Sequence, residues 1–229
     1  DAAGIVEEST SKYFKIGEKV IVVGTPMGMN YPGGFSQYIR VPSHWVTHLP
    51  EGLTLMESMT YGTAGFTAAL SIFQLKKQKI HNDSGPILVT GASGGIGSIS
   101  CAILSKLGYK VIASSGKTES SSFLNQFGIQ KLIKREEVND SSGMLLLKQS
   151  WSACIDTVGG NTLSTAIRRC LDDGVAITTG MVSSQELNIT VMPFILRGIK
   201  LIGINAQGVP KLEKEKIWKL LYLRLLLLD

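Results

Sequence analysis

Between residues 86 and 179 short apolar runs alternate with amphipathic stretches, and few folds accommodate that rhythm. Pro86-Ile87-Leu88-Val89-Thr90 reads as a strand buried on both faces. After a glycine-rich turn comes a helix with Ile96, Ile99, Ile103 and Leu107 on one face. The pattern continues with strands predicted over 110–113, 131–133, 153–156 and 175–179, and helices over 118–127, 144–149 and 161–170. Alternating units of this length predict an α/β fold, a doubly wound parallel sheet that binds its ligand beyond the carboxyl ends of the strands.

The region before it has a different texture. Residues 20–23 and 35–41 are short β-prone runs, separated by Gly24-Thr25-Pro26-Met27-Gly28 and Pro32-Gly33-Gly34, so residues 1–60 read as β-rich. From Thr63 the sequence becomes helical through Ala64, Ala68, Ala69, Leu70 and Ile72, which puts a domain boundary near residue 60. The organisation expected is a partial β-rich domain over 1–60, a nucleotide-binding domain over 61–207 and a divergent tail over 208–229.

Composition excludes several classes. The chain is 44% apolar and 18% charged, enough to bury a large core and too apolar for disorder. Its net charge of +5 is spread along the sequence instead of gathering on one element, so no nucleic-acid partner is expected. The longest leucine run, residues 225–228, is far short of the roughly 20 residues that cross a bilayer, so no membrane partner is expected either. Cys101, Cys154 and Cys170 are isolated from one another, and His44, His48 and His81 lack thiol or carboxylate partners at ligand spacing. No metal site is therefore expected. Unpaired thiols and the lack of a leader-like segment lead to the expectation of a cytoplasmic protein.

The turn itself reads Thr90-Gly91-Ala92-Ser93-Gly94-Gly95-Ile96-Gly97. Gly94 admits a close approach to a pyrophosphate, Gly97 permits tight packing of helix on strand, and the amides at the helix start face the phosphates. An NAD-binding chain usually places an acid at the end of the next strand to hold the ribose hydroxyls. Here that place reads Ser114-Ser115-Gly116-Lys117, whose hydroxyl, free amide and ammonium suit a 2′-phosphate. NADPH is the expected cofactor.

The same turn is similar to that of short-chain dehydrogenases, but no Tyr of this sequence is followed by Lys four residues later, as that family's proton donor requires. The β-rich region placed first instead resembles zinc-free medium-chain dehydrogenases/reductases, specifically the acryloyl-CoA reductase and quinone oxidoreductase subfamily. The resemblance is carried by Gly62-Thr63-Ala64-Gly65-Phe66-Thr67-Ala68, by Val89 through Gly97, and by Lys148-Gln149-Ser150-Trp151 leading into Ile155-Asp156-Thr157-Val158-Gly159-Gly160. Val191-Met192-Pro193-Phe194-Ile195-Leu196-Arg197-Gly198 adds a fourth block. It implies a Rossmann sheet preceded by part of a GroES-like domain, and a metal-free hydride transfer from NADPH to an activated double bond of an enoyl-CoA or a quinone. Ser93, Gly94, Gly95 and Ile96 would hold the pyrophosphate; Ser115, Gly116, Lys117 and Arg135 would hold the 2′-phosphate. Thr67 and Gly180 would lie near the nicotinamide. No proton donor is assigned. A homodimer is expected through the edge strand of residues 199–204, with Ile199 and Ile204 at its ends.

Against that subfamily, an N-terminal segment with an Asn-Tyr-Lys-Asp motif is expected before Asp1, and residues 211–229 read as the product of an early stop or frameshift. The competing reading is a non-catalytic NADPH-binding fragment or interaction protein. Loss of β-rich terminal strands would expose apolar surface at roughly 25 cal/mol per Å², against a net stability of roughly 5 to 15 kcal/mol. The 229-residue chain alone is accordingly expected to bind NADPH weakly or not at all and to turn nothing over. Steady-state assays of the purified chain with acryloyl-CoA and with a quinone check this, and measurable reduction of either would contradict it.

Overall fold

The computed structural model describes residues 1–117 and 121–225, which form two compact units: residues 1–69 with 205–229, and residues 70–204. These bounds differ from the division near 60 and 207 read from texture. The first boundary falls inside a long helix, where composition gives no break, and the tail belongs to the first unit.

In the second unit six strands form one sheet: β4 (Ile87–Thr90), β5 (Val111–Ser115), β6 (Lys131–Lys134), β7 (Trp151–Asp156), β8 (Cys170–Thr178) and β9 (Lys200–Gly203). Their spatial order is β6-β5-β4-β7-β8-β9, and every pairing is parallel. Counted from the first strand of this sheet the order is 3-2-1-4-5-6, the doubly wound arrangement, with its reversal between β4 and β7. Helices α2 (Gly95–Lys106), α3 (Ser121–Asn125), α4 (Gly160–Arg168) and α5 (Met192–Arg197) connect the strands. Every residue of β4 and β7 is buried, which is why both read as unbroken apolar runs instead of alternating ones. One side of the sheet is filled by Leu88, Cys154, Trp151, Ala176, Leu163, Ile167 and Ile199. Trp151 keeps its indole N–H satisfied by donating to the Ala166 carbonyl at 2.9 Å.

Three expectations for this unit are corrected. No helix forms over 144–149. Arg168 donates to the Met144 carbonyl and Arg197 to the Leu147 carbonyl, each at 2.8 Å, and these long-range bonds use the acceptors a local helix would need. The predicted helix over 161–170 ends at Arg168, because the carbonyls of Arg168 and Arg169 accept from the Leu147 and Ser150 amides; Cys170 already belongs to β8. Of the helix predicted over 118–127, residues 118–120 lie outside the described residues, and the helix seen is only Ser121–Asn125.

The first unit holds a small antiparallel sheet of β1 (Ala2–Ile5), β2 (Lys19–Val22) and β3 (Thr47–His48). Residues 35–41, expected as a strand, are irregular and leave Phe35 and Tyr38 exposed. Helix α1 (Leu55–Lys77) is kinked at Gly62, which adopts φ 49° and ψ −150°, so a fresh helical segment starts at Thr63. Asp1 caps that segment: its carboxylate accepts from the Thr63 amide and hydroxyl, both at 2.8 Å. The tail, expected to diverge, forms α6 (Lys211–Leu225) and buries Ile217, Trp218 and Leu221. Trp218 stacks on Phe66 with centroids 6.1 Å apart, and the Lys214 ammonium donates to the carbonyls of Val23 at 3.3 Å and Gly24 at 2.8 Å. Burial lowers the pKa of Lys214, because backbone carbonyls replace water only in part around the charged form. Among the described residues no helix is long and apolar enough to cross a membrane.

Trp218→Ala is expected to destabilise the chain by about 3–5 kcal/mol, the usual cost of emptying a fully buried aromatic site. Urea unfolding followed by circular dichroism measures it.

Candidate dinucleotide site

The site is built at the carboxyl end of β4, beside the point where the strand order reverses. Gly91 turns the chain out of the strand with φ 57°, so the position after it can be Ala92, fully buried, with its amide bonded to the Ser114 carbonyl. Gly94 opens α2 in an extended conformation and is exposed, while Gly97 lies one turn in and faces the turn. A Cβ on Gly97 would fall 2.7 Å from the Ala92 Cα and closer still to the Gly91 carbonyl oxygen. No acidic residue occupies the first turn of α2, no side chain caps it, and helix geometry leaves its first amides without intrahelical acceptors. Exposed amides at a helix start with its positive dipole end form a ready anion cradle, and the residues present fit a pyrophosphate.

A second cradle sits at the end of β5. The Ser115 hydroxyl lies 3.1 Å from that of Ser93 and accepts the Lys117 amide at 3.1 Å, which joins this turn to the glycine-rich one. Arg135, in the 3-10 turn after β6, lies with its guanidinium against Gly116, so closely that any Cβ at 116 would collide with it. Ser93, Gly94, Gly95, Ile96, Ser115, Gly116, Lys117 and Arg135 thus gather on one side of one unit. Gly180 follows β8 and packs on the backbone of Thr157, where a Cβ would meet the Thr157 carbonyl carbon at 3.1 Å. Thr67 belongs to the first unit, is buried, and donates to the Thr63 carbonyl at 2.7 Å; it lies one turn inside the second segment of α1.

Under the glycine-rich turn is a polar network that the motif alone does not reveal. Asp156, fully buried at the end of β7, accepts from the Thr90 hydroxyl at 2.6 Å and the Gly159 amide at 2.8 Å. Its own carbonyl accepts the Thr179 amide, and the Thr157 hydroxyl donates to the Thr90 carbonyl. The carboxyl ends of β4, β7 and β8 are tied together in this way. Burial raises the Asp156 pKa, and the hydrogen bonds from Thr90 and Gly159 oppose that rise. The sequence does carry a signal for it: a Thr and an Asp ending two otherwise mostly apolar runs.

The profile described as zinc-binding dehydrogenase matches residues 95–221. The chain belongs to this family. It is 37% identical over 219 residues to the acrylyl-CoA reductase AcuI of Ruegeria pomeroyi, covering 96% of this chain and 66% of that protein. The crystal structure of the YhdH oxidoreductase of Salmonella enterica in complex with NADP superposes with a TM-score of 0.95 at 37% identity, over 97% of this chain and 68% of that one. That of Bacillus subtilis YhfP, with NAD bound, gives 0.93 at 39% identity, over 96% and 67%. The chain therefore spans about two thirds of the length of the curated relatives it matches. These relatives and their shared fold place it among the medium-chain dehydrogenases/reductases. The family description mentions zinc, yet among the described residues no three His, Cys, Asp or Glu side chains cluster as a metal site would require. Cys101 is buried, and burial pushes its thiol up to about 12.

Two substitutions test this architecture. Gly97→Ala is expected to destabilise by about 1–3 kcal/mol through overpacking, which outweighs the gain of about 1 kcal/mol in helix propensity. Thermal denaturation gives the sign, and a more stable variant would mean that turn and helix do not touch. Thr90→Val should cost about 1.5–3 kcal/mol by removing a donor to a buried carboxylate. A raised Asp156 pKa means the native state holds its proton to higher pH than the unfolded chain, so stability falls as pH rises above about 4. The deficit of Thr90→Val should therefore grow as pH rises through that window, as read from urea midpoints across pH.

Proposed function

We propose that the protein is an NADPH-dependent oxidoreductase that reduces a polarised carbon-carbon double bond, of the acryloyl-CoA kind, or a quinone, without zinc. The observation carrying this reading is the Arg135 guanidinium laid across Gly116, beside Ser115 and Lys117 at the end of a strand that carries no carboxylate. Two cations and a hydroxyl favour a dianionic 2′-phosphate, whereas a ribose diol would gain little from them. The amides of Gly95 and Ile96 take the pyrophosphate, with Ser93 and Gly94 completing the turn. Gly180 and Thr67 are assigned to the nicotinamide end. The bound cofactor supplies a hydride; the protein holds and orients it and shields it from water.

The names of the relatives support the reaction class. AcuI is named an acrylyl-CoA reductase, and YhfP carries the name of a quinone oxidoreductase. We assign the protein to the cytoplasm and infer a homodimer through β9, an edge strand whose Leu201 is exposed. A second reading is a chain that binds the cofactor without turnover.

Lys117→Glu is expected to weaken NADPH binding about 10- to 100-fold and to leave NADH nearly unchanged, the range of a charge-assisted phosphate bond. Calorimetric titration with both nucleotides decides it. Equal losses would remove Lys117 from the phosphate. Tight NADPH binding without reduction of acryloyl-CoA or a quinone would favour the second reading.

A further inference from the structure

Arg135 faces a physical difficulty. It is an exposed side chain with many accessible rotamers, and it must be held over one glycine to select a phosphate. Its own 3-10 turn, residues 135–138, is too short to be rigid by itself. The rigidity comes from α4, whose residues are almost all buried although several are polar. The hydrogen bonds of Thr162, Thr165 and Arg168 reach the segment carrying Arg135. The Thr162 hydroxyl donates to Asn139 Oδ1 at 2.9 Å, and Asn139 Nδ2 donates to the Arg135 carbonyl at 2.9 Å. One residue further, the Asp140 amide donates to the Thr165 hydroxyl at 3.0 Å, and Arg168 Nη1 donates to the Asp140 carboxylate at 2.8 Å. Arg169 Nη1 donates to the Glu137 carbonyl at 3.0 Å, and Val138 is fully buried. The turn is thus bound along the helix by successive side chains.

The N-cap of α4 is tied to the glycine-rich turn. Gly159, its N-cap, donates to Asp156, and Asp156 accepts from Thr90 at the start of that turn. One helix is therefore bonded both to the base of the glycine-rich turn, through Asp156, and to the segment after β6, through Asn139 and Asp140. Burying threonine hydroxyls costs free energy unless they are bonded, so Thr162 and Thr165 hold their partners firmly.

We propose that α4 sets the cofactor preference of this protein, with Asn139 and Thr162 as positioning residues that fix Arg135 over Gly116. This rests on the reading of Ser115, Gly116, Lys117 and Arg135 as the 2′-phosphate cradle. A purely structural role for the Asn139–Thr162 bond would change stability and affect NADPH and NADH alike. A positioning role changes NADPH alone.

The test is titration of the full chain with NADPH and with NADH, following the Gly116 amide by NMR so that millimolar affinities are measurable, together with the melting temperature of each variant. Arg135→Ala tests the cradle and should weaken NADPH about 10- to 100-fold with NADH unchanged. Thr162→Val, isosteric and without the hydroxyl, should weaken NADPH about three- to tenfold with NADH unchanged, and Thr162→Ser should restore the parent value. Asn139→Ala should match Thr162→Val; if it does not fold, the Val and Ser pair at 162 decides. An Arg135→Ala effect without any effect of Thr162→Val overturns the positioning role and leaves the cradle standing. No difference between the nucleotides in Arg135→Ala, or no binding of either, overturns the cradle and the inference with it.

Discussion

A single buried carboxylate organises the nucleotide-binding unit. Asp156 sits at the end of β7 with no exposure to solvent, and its two oxygens accept from Thr90 on β4 and Gly159 at the start of α4. Charge in such a place is costly, and the upward displacement of its pKa shows that burial outweighs the hydrogen bonds it receives. The cost is tolerated because no apolar residue could bind both a strand end and a helix start. With Asp156 in place, the point where the strand order reverses is held at a fixed width, and the glycine-rich turn sits on a rigid base. A looser base would let the α2 amides drift, and an anion cradle made of dipoles depends on their alignment.

The parts of this architecture that are legible in the sequence are those produced by local rules. Buried parallel strands demand unbroken apolar runs, and all five strands predicted over 86–179 fall on strands of the structure, most within a residue or two. The fresh start of the helix at Thr63 is readable because Gly62 breaks it through its backbone conformation alone. Residues 144–149 are not legible. Met144 and the leucines after it have good helix propensity, but Arg168 and Arg197, far along the chain, capture the carbonyls first. The tail is opaque for a similar reason. Its charges segregate along the chain, and only the partners Phe66, Val23 and Gly24, some 150 to 190 residues away, make sense of burying Trp218 and Lys214.

The candidate site divides along the same line. The pyrophosphate turn is a contiguous motif whose spacing encodes its geometry. The second cradle is discontinuous: Ser93, Ser115, Gly116 and Arg135 come from three different β-α connections. Their residue types are legible as chemistry suited to a phosphate, but the contact of Arg135 with Gly116 is not. It arises from the parallel register of β5 with β6, which sets Ser115 opposite Lys134 and so puts the residue after each strand side by side. A Cβ at position 116 would meet the guanidinium where it now lies, so a side chain there would displace Arg135.

Cofactor preference in such a sheet can be built in two ways. A carboxylate at the end of β5 would be sufficient for a ribose diol, because one short side chain on a rigid strand is positioned by the strand itself. A phosphate-selecting arginine on a neighbouring turn is not positioned in that way, and needs support from outside its own strand. In this chain the support comes from the polar face of α4, through Asn139 and Thr162, and the same helix is anchored at Asp156. The buried Thr162 and Thr165 hydroxyls, which look unfavourable in a core, are bonded to the segment that carries Arg135, and the N-cap of the same helix is bonded to the base of the glycine-rich turn, so one element is tied to both anion-binding turns.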